Sequence, residues 1–351
     1  MPEPTPASPT APTAPTTPSA ADPVRFGYFG PAGTFTQMAL LEWPGAQGGE
    51  HTPYPSVDAT LAAVRAGEID AGMVPIENSV EGGVTATLDA LAAGDPLTLV
   101  GEVLVPIRFV LAARSGMSLA DIHTVGTHSH AWAQVRGWIG AHLPEVTYVP
   151  TLSTAAAAAE LAPGGPARHD AAICAPIAAR LSELDILAED IGDIAAAVTR
   201  FVLVARPDRI PAPTGADKTT LVLYQRRDRS GGLLELLEQF ATRGINMTRL
   251  ESRPTKHSMG DYCFSVDIEG HLLDERVGEA MTGLKRVCGD LRFLGSYPRA
   301  DRSRAVVAPH NADADFRAAA DWLAGLRALT GTPPPDPRPG LTDPGLTDPL
   351  R

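Results

Sequence analysis

The chain has 351 residues, a length that accommodates two or three domains, and its hydrophobic content of 44% is ordinary for a globular protein. The formal net charge is −12 and no basic patch stands out, which argues against nucleic acid as a partner. No stretch has the length and apolar character of a membrane span. The three cysteines, Cys174, Cys263 and Cys288, form no disulfide framework or metal-ligand cluster, and they suit a reducing cytoplasm.

Residues 1–22 consist mostly of Pro, Thr, Ala and Ser, and this composition predicts a disordered tail. The segment lacks the basic start and the apolar run of a signal peptide. It is also too short to fold as a domain, so we expect no separate helical domain before the first strand.

A strand, a glycine-containing turn and a helix are predicted at the start of the folded region. Residues 24–29 have the pattern of a strand, residues 30–36 that of a turn, and a helix is predicted from about Gln37 to Glu42. Free N–H groups at such a helix start form a natural cradle for an anion. The glycines at 27, 30 and 33 do not match a dinucleotide fingerprint. A simple tight turn between packed elements explains the segment equally well.

A second polar group follows the predicted strand at 70–76. Glu77, Asn78 and Ser79 bring a carboxylate, an amide and a hydroxyl to the end of this strand, where open α/β sheets bind ligands. The alternative is that Asn78 and Ser79 only cap the helix that follows, through Leu91.

The alternation of strands and helices continues through the middle of the chain. Strands are predicted at 97–104, 108–112, 123–127, 146–149, 170–174 and 184–187, and helices over 128–139, 154–161 and 176–181. This alternation predicts a parallel-rich α/β fold. The block at about 106–188 is interpreted as a second lobe inserted into the first, with a cleft between the two lobes.

Three histidines lie close together in this block, at His123, His128 and His130. No cysteine or carboxylate joins them, and helical histidine ligands favour i, i+4 spacing, so we do not predict a metal site. Capping or ligand contact is the preferred interpretation for Thr127, His128 and Gln134.

Thr199 and Arg200 directly precede a buried apolar strand at 201–204. A hydroxyl and a permanently charged guanidinium at the mouth of a strand suit an anionic ligand. Taken alone, these residues are explained as simply by an ordinary strand start with a solvated arginine. In chain order, however, this strand is the return from the second lobe, which places Thr199 at the floor of the cleft.

A different pattern begins near residue 217. Strands at 218–225, 245–252, 262–269 and 291–296, helices at 231–243 and 273–288, and a turn at 256–260 give the ferredoxin-like order βαββαβ. Residues 303–351 are interpreted as a tail with a possible amphipathic helix over 313–329. The repeated Gly-Leu-Thr-Asp-Pro at 340–344 and 345–349 predicts disorder.

Several of these motifs together resemble the prephenate dehydratase family. They are Gly30-Pro31-Ala32-Gly33-Thr34, Pro75-Ile76-Glu77-Asn78-Ser79 and Thr199-Arg200-Phe201. Glu251-Ser252-Arg253-Pro254 and the βαββαβ order resemble the regulatory ACT domain of that family. The resemblance covers about residues 24–297. It implies a two-lobed catalytic domain over 23–208, similar to type 2 periplasmic binding proteins, and an ACT domain over 217–297.

The resemblance also implies an activity, the decarboxylation and dehydration of prephenate to phenylpyruvate in phenylalanine biosynthesis, without a metal or redox cofactor. It makes Thr199 the catalytic residue, as a positioned donor to the departing hydroxyl. The candidate substrate-binding residues are Gly33, Thr34, Asn78, Ser79, Thr127, Gln134 and Arg200. Two roles remain as alternatives for Arg200: it pairs with the substrate, or it holds the loop.

Regulation is implied as well, by L-phenylalanine bound between the subunits of a homodimer or homotetramer. The candidate effector-binding residues are Gly231, Leu233, Leu234, Asn246, Glu251, Ser252, Arg253 and Pro254. Gly232 and Leu234 depart from the family's Gly-Ala-Leu-Val motif, His130 replaces a glutamine of its Ser-His-Pro-Gln-Ala run, and Ala197 replaces an asparagine before the motif threonine.

Two other functions share most of these features. An arogenate dehydratase performs the same chemistry on the aminated substrate. A non-enzymatic amino-acid sensor would have the same folds, but it gives no reason for Thr199 or for the pair Asn78 and Ser79.

Overall fold

The computed structural model describes residues 23–166, 168–208, 210–255 and 261–330. Within these ranges the strands are β1 (Arg25–Phe29), β2 (Glu50–Tyr54), β3 (Ala71–Asn78), β4 (Gly82–Gly83), β5 (Thr98–Pro106), β6 (Val110–Ala113), β7 (Thr124–Thr127), β8 (Thr147–Pro150), β9 (Ala171–Cys174), β10 (Asp185–Ala188), β11 (Val198–Ala205), β12 (Asp217–Tyr224), β13 (Met247–Pro254), β14 (Tyr262–Glu269) and β15 (Asp290–Pro298). The α-helices are α1 (Phe35–Glu42), α2 (Val57–Ala66), α3 (Thr85–Ala92), α4 (Ser129–Ala133), α5 (Arg136–His142), α6 (Thr154–Leu161), α7 (Pro176–Leu181), α8 (Gly232–Ala241), α9 (Glu275–Val287) and α10 (Asp313–Ala328). The predictions for residues 1–22, for the turn at 256–260 and for the repeat at 340–349 lie outside the described residues.

The first sheet has the strand order β2-β1-β3-β11-β5, with β4 paired to β3. Strand β1 runs parallel to β2 and β3, whereas β11 runs antiparallel to both β3 and β5. The chain leaves this lobe after β5 and returns through β11, which inserts between two strands that precede it. The prediction of a parallel-rich sheet is therefore wrong for β11, because the returning chain enters the sheet from the opposite end.

The second sheet contains only residues between 110 and 188, in the order β10-β6-β9-β7-β8. It is also mixed, since β6 is antiparallel to β9 and β10, while β7 is parallel to β8 and β9. The alanine-rich helix α6 buries Ala155, Ala157 and Ala158 against this sheet. Small side chains allow the helix to approach the strands closely, which fixes the position of its N-terminus.

Two local predictions differ from the structure. Strand β2 was not predicted, because it is an exposed, polar edge strand that contains Pro53 and lacks hydrophobic alternation. The single helix predicted over 128–139 is two helices, α4 and α5. The carboxylate of Asp193 accepts the N–H groups of Gly137 and Trp138, so a distant residue caps α5 and fixes the break.

The C-terminal domain, β12-α8-β13-β14-α9-β15, has the predicted βαββαβ order. Its four strands form an antiparallel sheet in the order β13-β14-β12-β15. Helices α8 and α9 cover one face through apolar residues such as Phe240 and Leu284. The predicted fold class, a two-lobed α/β domain with a ferredoxin-like domain, is confirmed.

The other face of the C-terminal sheet packs against the first lobe. Strand β15 contacts β5, and a Cβ at Gly295 would lie 2.3 Å from the Leu99 carbonyl oxygen, so only glycine permits this approach. Arg292 donates to the carbonyls of Leu91, Ala93 and Gly94 at the end of α3. A cation at these carbonyls stabilises the helix C-terminus, so the two domains are joined by specific contacts.

Helix α10 is the helix predicted at 313–329. The Asp313 carboxylate accepts the Glu275 N–H at 3.0 Å, which fastens α10 to the start of α9. None of the residues of α10 is buried, and Trp322 is 67% exposed. The amphipathic pattern therefore predicted the helix correctly, but its apolar stripe is exposed in the part of the chain that the structure describes.

Candidate active site

A cleft of about 280 Å³ lies between the two lobes. Its polar lining residues are Thr34, Thr36, Asn78, Glu81, His128, His130, Gln134, Ser153, Thr154 and Thr199. Four phenylalanines, at 29, 35, 109 and 201, form much of its apolar wall. Among the described residues no lysine or arginine lines the cleft, so an anion bound there depends on other donors.

Thr199 lies at the start of β11, directly opposite Asn78 in β3, and is 7% exposed. The Asn78 Nδ2 group donates a hydrogen bond of 2.8 Å to Thr199 Oγ1. The orientation of this amide is fixed because Asn78 Oδ1 accepts the N–H groups of Val80 at 2.7 Å and Glu81 at 3.2 Å. Since the Thr199 oxygen accepts this bond, its own hydrogen is available for a molecule in the cleft.

Ser79 also contacts strand β11, through the backbone of Val198. Its hydroxyl accepts the Val198 N–H at 2.9 Å, and its own N–H donates to the Val198 carbonyl at 2.9 Å. Ser79 is not among the residues that line the cleft, whereas Asn78 is. Both residues make contacts that position Thr199, and carboxylate binding by Asn78 stays a prediction.

The Arg200 side chain points away from the cleft, into the boundary with the C-terminal domain. Its Nε donates to Glu102 at 2.6 Å, and its two terminal nitrogens donate to Asp267 at 2.5 Å and to the Tyr297 hydroxyl at 2.7 Å. Successive residues of a strand face opposite sides of the sheet, so Thr199 and Arg200 cannot both face the cleft. The prediction that Arg200 pairs with substrate is corrected on this ground.

Two further groups that were predicted to bind substrate, the Gly33 N–H and the Thr127 hydroxyl, have hydrogen-bond partners within the protein. The Gly33 N–H donates to Gln37 Oε1 at 2.7 Å, and a Cβ at Gly33 would lie 3.0 Å from Ala178. The fully buried Thr127 hydroxyl donates to the Ile173 carbonyl at 2.8 Å. Both groups hold the walls of the cleft together, and neither residue lines it. The predicted residues Thr34 and Gln134 do line the cleft.

Two helix N-termini meet at the cleft, one from each lobe. Thr34 caps α1 by accepting the Gln37 N–H at 3.4 Å, and Ser153 caps α6 by accepting the Ala156 N–H at 2.9 Å. The N–H groups of a helix's first turn lack partners within the helix and carry partial positive charge. The cleft thus offers an anion two positive helix ends. The sequence indicated the first of these, but the contribution of α6 depends on the packing of the second lobe.

Glu81 of the first lobe contacts α4 of the second lobe across the cleft. Its carboxylate lies 2.8 Å from His130 Nδ1 and 3.4 Å from Gln134 Nε2. Burial and the neighbouring His130 lower the pKa of His128, and Glu81 opposes this only in part. His128 is therefore neutral near pH 7, and its Nδ1 accepts the His130 N–H at 3.3 Å. Neither Glu81 nor the bridge to His130 had a signal in the sequence.

The predicted effector residues fall into separate regions of the C-terminal domain. Gly231, Leu233, Leu234 and Ser252 line a cavity of about 460 Å³, together with Gln225, Asp228, Arg229, Gly232, Leu237, Tyr262 and Phe264. This cavity lies at the start of α8 and on the side of β13 that faces it. Four of the eight predicted residues thus share one site.

The other four predicted effector residues lie elsewhere. Glu251 and Arg253 alternate with Ser252 in β13 and face the first lobe, where Arg253 Nε donates to Asp89 at 3.0 Å and Glu251 lies against Gly83. Pro254 borders a second cavity between the domains, and Asn246 is exposed before β13. In one chain these residues contact the first lobe or solvent, and their predicted contact with an effector bound between subunits stays a prediction.

The fold and the cleft define a class of protein: a two-lobed α/β domain with a polar cleft between its lobes, whose returning strand β11 is contacted by a C-terminal βαββαβ domain. Residues 26–209 match the family model described as prephenate dehydratase. The chain is 46% identical over 304 residues to prephenate dehydratase of Amycolatopsis methanolica, covering 86% of this chain and 98% of that protein. The chain belongs to the prephenate dehydratase family, whose enzymes convert prephenate to phenylpyruvate, carbon dioxide and water.

Two solved structures of similar fold have different descriptions. The structure of prephenate dehydratase from Arthrobacter aurescens in complex with L-Phe is 53% identical, with a TM-score of 0.82, and covers 87% of this chain and 100% of that chain. A structure described as GqqA, a novel type of quorum quenching acylase, is 31% identical, with a TM-score of 0.69, and covers 78% of this chain and 97% of that chain.

Proposed function

We propose that this cleft converts prephenate to phenylpyruvate with Thr199 as the donor to the departing hydroxyl. The observation that supports this role is the Asn78–Thr199 hydrogen bond, in which the threonine oxygen accepts and its hydrogen stays available. Prephenate carries two carboxylates and a ring hydroxyl. Aromatisation of the ring supplies the driving force, so the enzyme mainly has to orient the substrate and assist one departing group.

In this reaction the bond between the ring and its carboxylate breaks and releases carbon dioxide. The electron pair of that bond enters the ring, which becomes aromatic as the C–O bond to the hydroxyl breaks. The departing hydroxide takes up one proton, which comes from solvent, and leaves as water. An alcohol has a pKa far above 7, so Thr199 acts as a positioned hydrogen-bond donor to the departing oxygen.

The substrate carboxylates are assigned to the two helix N-termini of the cleft. Helix α1 begins after Thr34 and α6 begins after Ser153, so the donors come from both lobes. A dianion that contacts both ends favours the closed arrangement of the lobes, which the Glu81–His130 contact also favours. The phenylalanines of the cleft provide an apolar wall for the ring.

The acylase described for one relative is a less suitable function for this cleft. Attack on an acyl group requires a hydroxyl that is deprotonated by an adjacent base. The residue within hydrogen-bond distance of Thr199 Oγ1 is Asn78, whose amide donates and has no basic function. We therefore expect no acylase activity through Thr199.

Steady-state turnover of the purified protein tests the proposal directly. We expect phenylpyruvate formation from prephenate, followed by absorbance, with kcat/KM above that for arogenate. Arogenate, followed by the formation of its aromatic product, serves as the comparison substrate. Absence of prephenate turnover by the intact chain would contradict the proposal and favour a sensor of amino acids.

We further propose that the C-terminal domain is an ACT regulatory domain that binds L-phenylalanine in the cavity beside Leu233 and Leu234. Leu237 and Phe264 add apolar surface for an aromatic ring, and a relative of high identity was solved with L-Phe. The cavity is open on one side, which fits completion by a second copy in a homodimer or homotetramer.

The three cysteines, which are buried and form no disulfide, fit a cytoplasmic location. Within the described ranges no helix is suited to crossing a bilayer.

Leu234→Glu tests the effector cavity. The new carboxylate would face the apolar ring and repel the carboxylate of phenylalanine, so we expect the concentration for half-inhibition to rise by about tenfold or more. Each rate is measured relative to the uninhibited rate of the same variant. Leu273→Glu is the matched control, since Leu273 is an exposed leucine of the same domain away from the cavity. Equal inhibition of both variants and wild type would place the effector elsewhere.

A further inference from the structure

A buried group of charges joins the strand of Thr199 to the C-terminal domain. We call it the interdomain charge cluster. Each of its members is at most 9% exposed, and together they come from both strands next to the boundary and from all four strands of the C-terminal sheet. The cluster consists of Glu102, Arg200, Lys218, Thr220, Arg249, Asp267 and Tyr297.

Arg200 connects the two domains, as does the pair of Lys218 with Glu102. The Arg200 Nε bonds Glu102 of its own lobe, while its terminal nitrogens bond Asp267 and Tyr297 of the C-terminal domain. A planar guanidinium held along all of its donor edges has little freedom to rotate or shift. Because Arg200 directly follows Thr199, the backbone at the reactive hydroxyl is held by residues of the other domain.

Further bonds hold the partners of Arg200 in turn. Lys218 Nζ lies 2.9 Å from Glu102, and Arg249 Nε lies 2.9 Å from Asp267. The Thr220 hydroxyl bonds both Asp267, at 2.7 Å, and the Tyr297 hydroxyl, at 2.6 Å. The groups that accept hydrogen bonds from the guanidinium are therefore held in place themselves, as precise placement of a reactive group requires.

The Asp267 carboxylate of the cluster stays ionised in the folded protein. Burial opposes ionisation of Asp267, but Arg200 and Arg249 outweigh it and hold the pKa of that carboxyl well below its usual range. Buried ion pairs of this kind are seldom more stable than apolar packing of the same volume. A purely structural role therefore gives little reason for so many charges beside the reactive strand.

We propose that Tyr297 and Asp267 are positioning residues for the dehydration, acting on the Thr199 hydroxyl through Arg200. This inference rests on the proposed role of Thr199. It makes the C-terminal sheet a support of the active site even when no effector is bound. A change of that sheet on effector binding would reach the reactive hydroxyl by the same route.

Tyr297→Phe tests the proposal with the loss of one hydroxyl. We expect kcat for prephenate to fall about tenfold while KM stays within about twofold, since Thr199 is misplaced but the substrate-binding helix ends are not. Ser296→Ala is the matched control. Ser296 is the neighbouring residue in β15, is equally buried, and bonds Thr219 and the Leu272 N–H without contacting Arg200. We expect its kcat to stay at the wild-type value.

A double-mutant cycle with Thr199→Ala separates positioning from general damage. If Tyr297 acts through the Thr199 hydroxyl, Tyr297→Phe causes no further loss of kcat once that hydroxyl is gone. An equal tenfold loss in both backgrounds, or no loss in wild type, would overturn the proposal. If Thr199→Ala alone kept wild-type turnover, the proposed role of Thr199 would fail instead, and the single variant would reveal this.

A second pair of variants covers the case in which Tyr297→Phe does not fold. Thr220→Val removes the hydroxyl that bonds Asp267 and Tyr297, whereas Thr219→Val removes an equally buried hydroxyl that bonds Gly270 and Ser296. We expect a loss of kcat in Thr220→Val only, again absent in the Thr199→Ala background. Equal rates for these two variants would overturn the proposal.

Discussion

Thr199→Ala is expected to lower kcat for prephenate about 10²- to 10³-fold, the range found when one positioned donor to a developing negative oxygen is removed. The fold should persist, because the lost hydroxyl is a small group at the wall of a cleft and has one protein partner, Asn78. KM should change little, since the carboxylates are assigned to other groups. Steady-state kinetics of phenylpyruvate formation and a thermal melt check both parts.

Thr199→Ser is the matched control for this prediction. Serine keeps the hydroxyl that Asn78 orients and loses only a methyl group, so it should retain most of the wild-type kcat. A near-wild-type kcat in the alanine variant would remove Thr199 from the chemistry. An equal loss in the serine variant would show that packing of the methyl group, rather than the hydroxyl, limits the reaction.

Arg200→Leu is expected to cost about 3 kcal/mol of the free energy of unfolding, because the buried carboxylates of Glu102 and Asp267 would keep only Lys218 and Arg249 as their charged partners. The guanidinium is 5% exposed, so water cannot replace its charge. Chemical denaturation at pH 7 measures the loss, as a lower midpoint. This is one of the largest effects expected for any single substitution in the chain.

Arg108→Leu is the control for Arg200→Leu. Arg108 pairs with Asp190 on the surface, where both side chains are more than half exposed, and such pairs contribute about 0–1 kcal/mol. A higher KM for Arg200→Leu with an unchanged free energy of unfolding would contradict the structural role. That outcome would restore the interpretation in which the arginine pairs with a substrate carboxylate.

Local patterns were sufficient to predict most of the elements and the reactive strand. The βαββαβ order and the amphipathic helix α10 follow from hydrophobic periodicity, which operates over a few residues. Thr199 was identified because chain order places β11 at the return from the second lobe. The edge strand β2 was not predicted, because its polar residues form no periodic pattern of hydrophobic residues.

The roles of individual side chains were harder to predict, because their partners are distant in sequence. Arg200 has the chemistry of an anion-binding residue, but its partners lie far along the chain. Glu102, Asp267 and Tyr297 are 98, 67 and 97 residues away. Asn78 and Ser79 were interpreted as carboxylate ligands, yet their partners in β11 are about 120 residues away. A sequence pattern gives the chemistry that a residue can perform, and it does not give the direction in which the side chain points.

The sequence by itself determined the fold class and the family, and it indicated the threonine that we propose as the donor, because short motifs and period-2 and period-3.6 patterns are local properties of the chain. Only the tertiary structure decided that Thr199 faces the cleft while Arg200 faces the C-terminal domain, and that α6 brings a second positive helix end to the site. These features depend on which strands pair and which lobes pack together. Such contacts are selected by burial and electrostatics across the whole fold, over separations that local patterns do not encode.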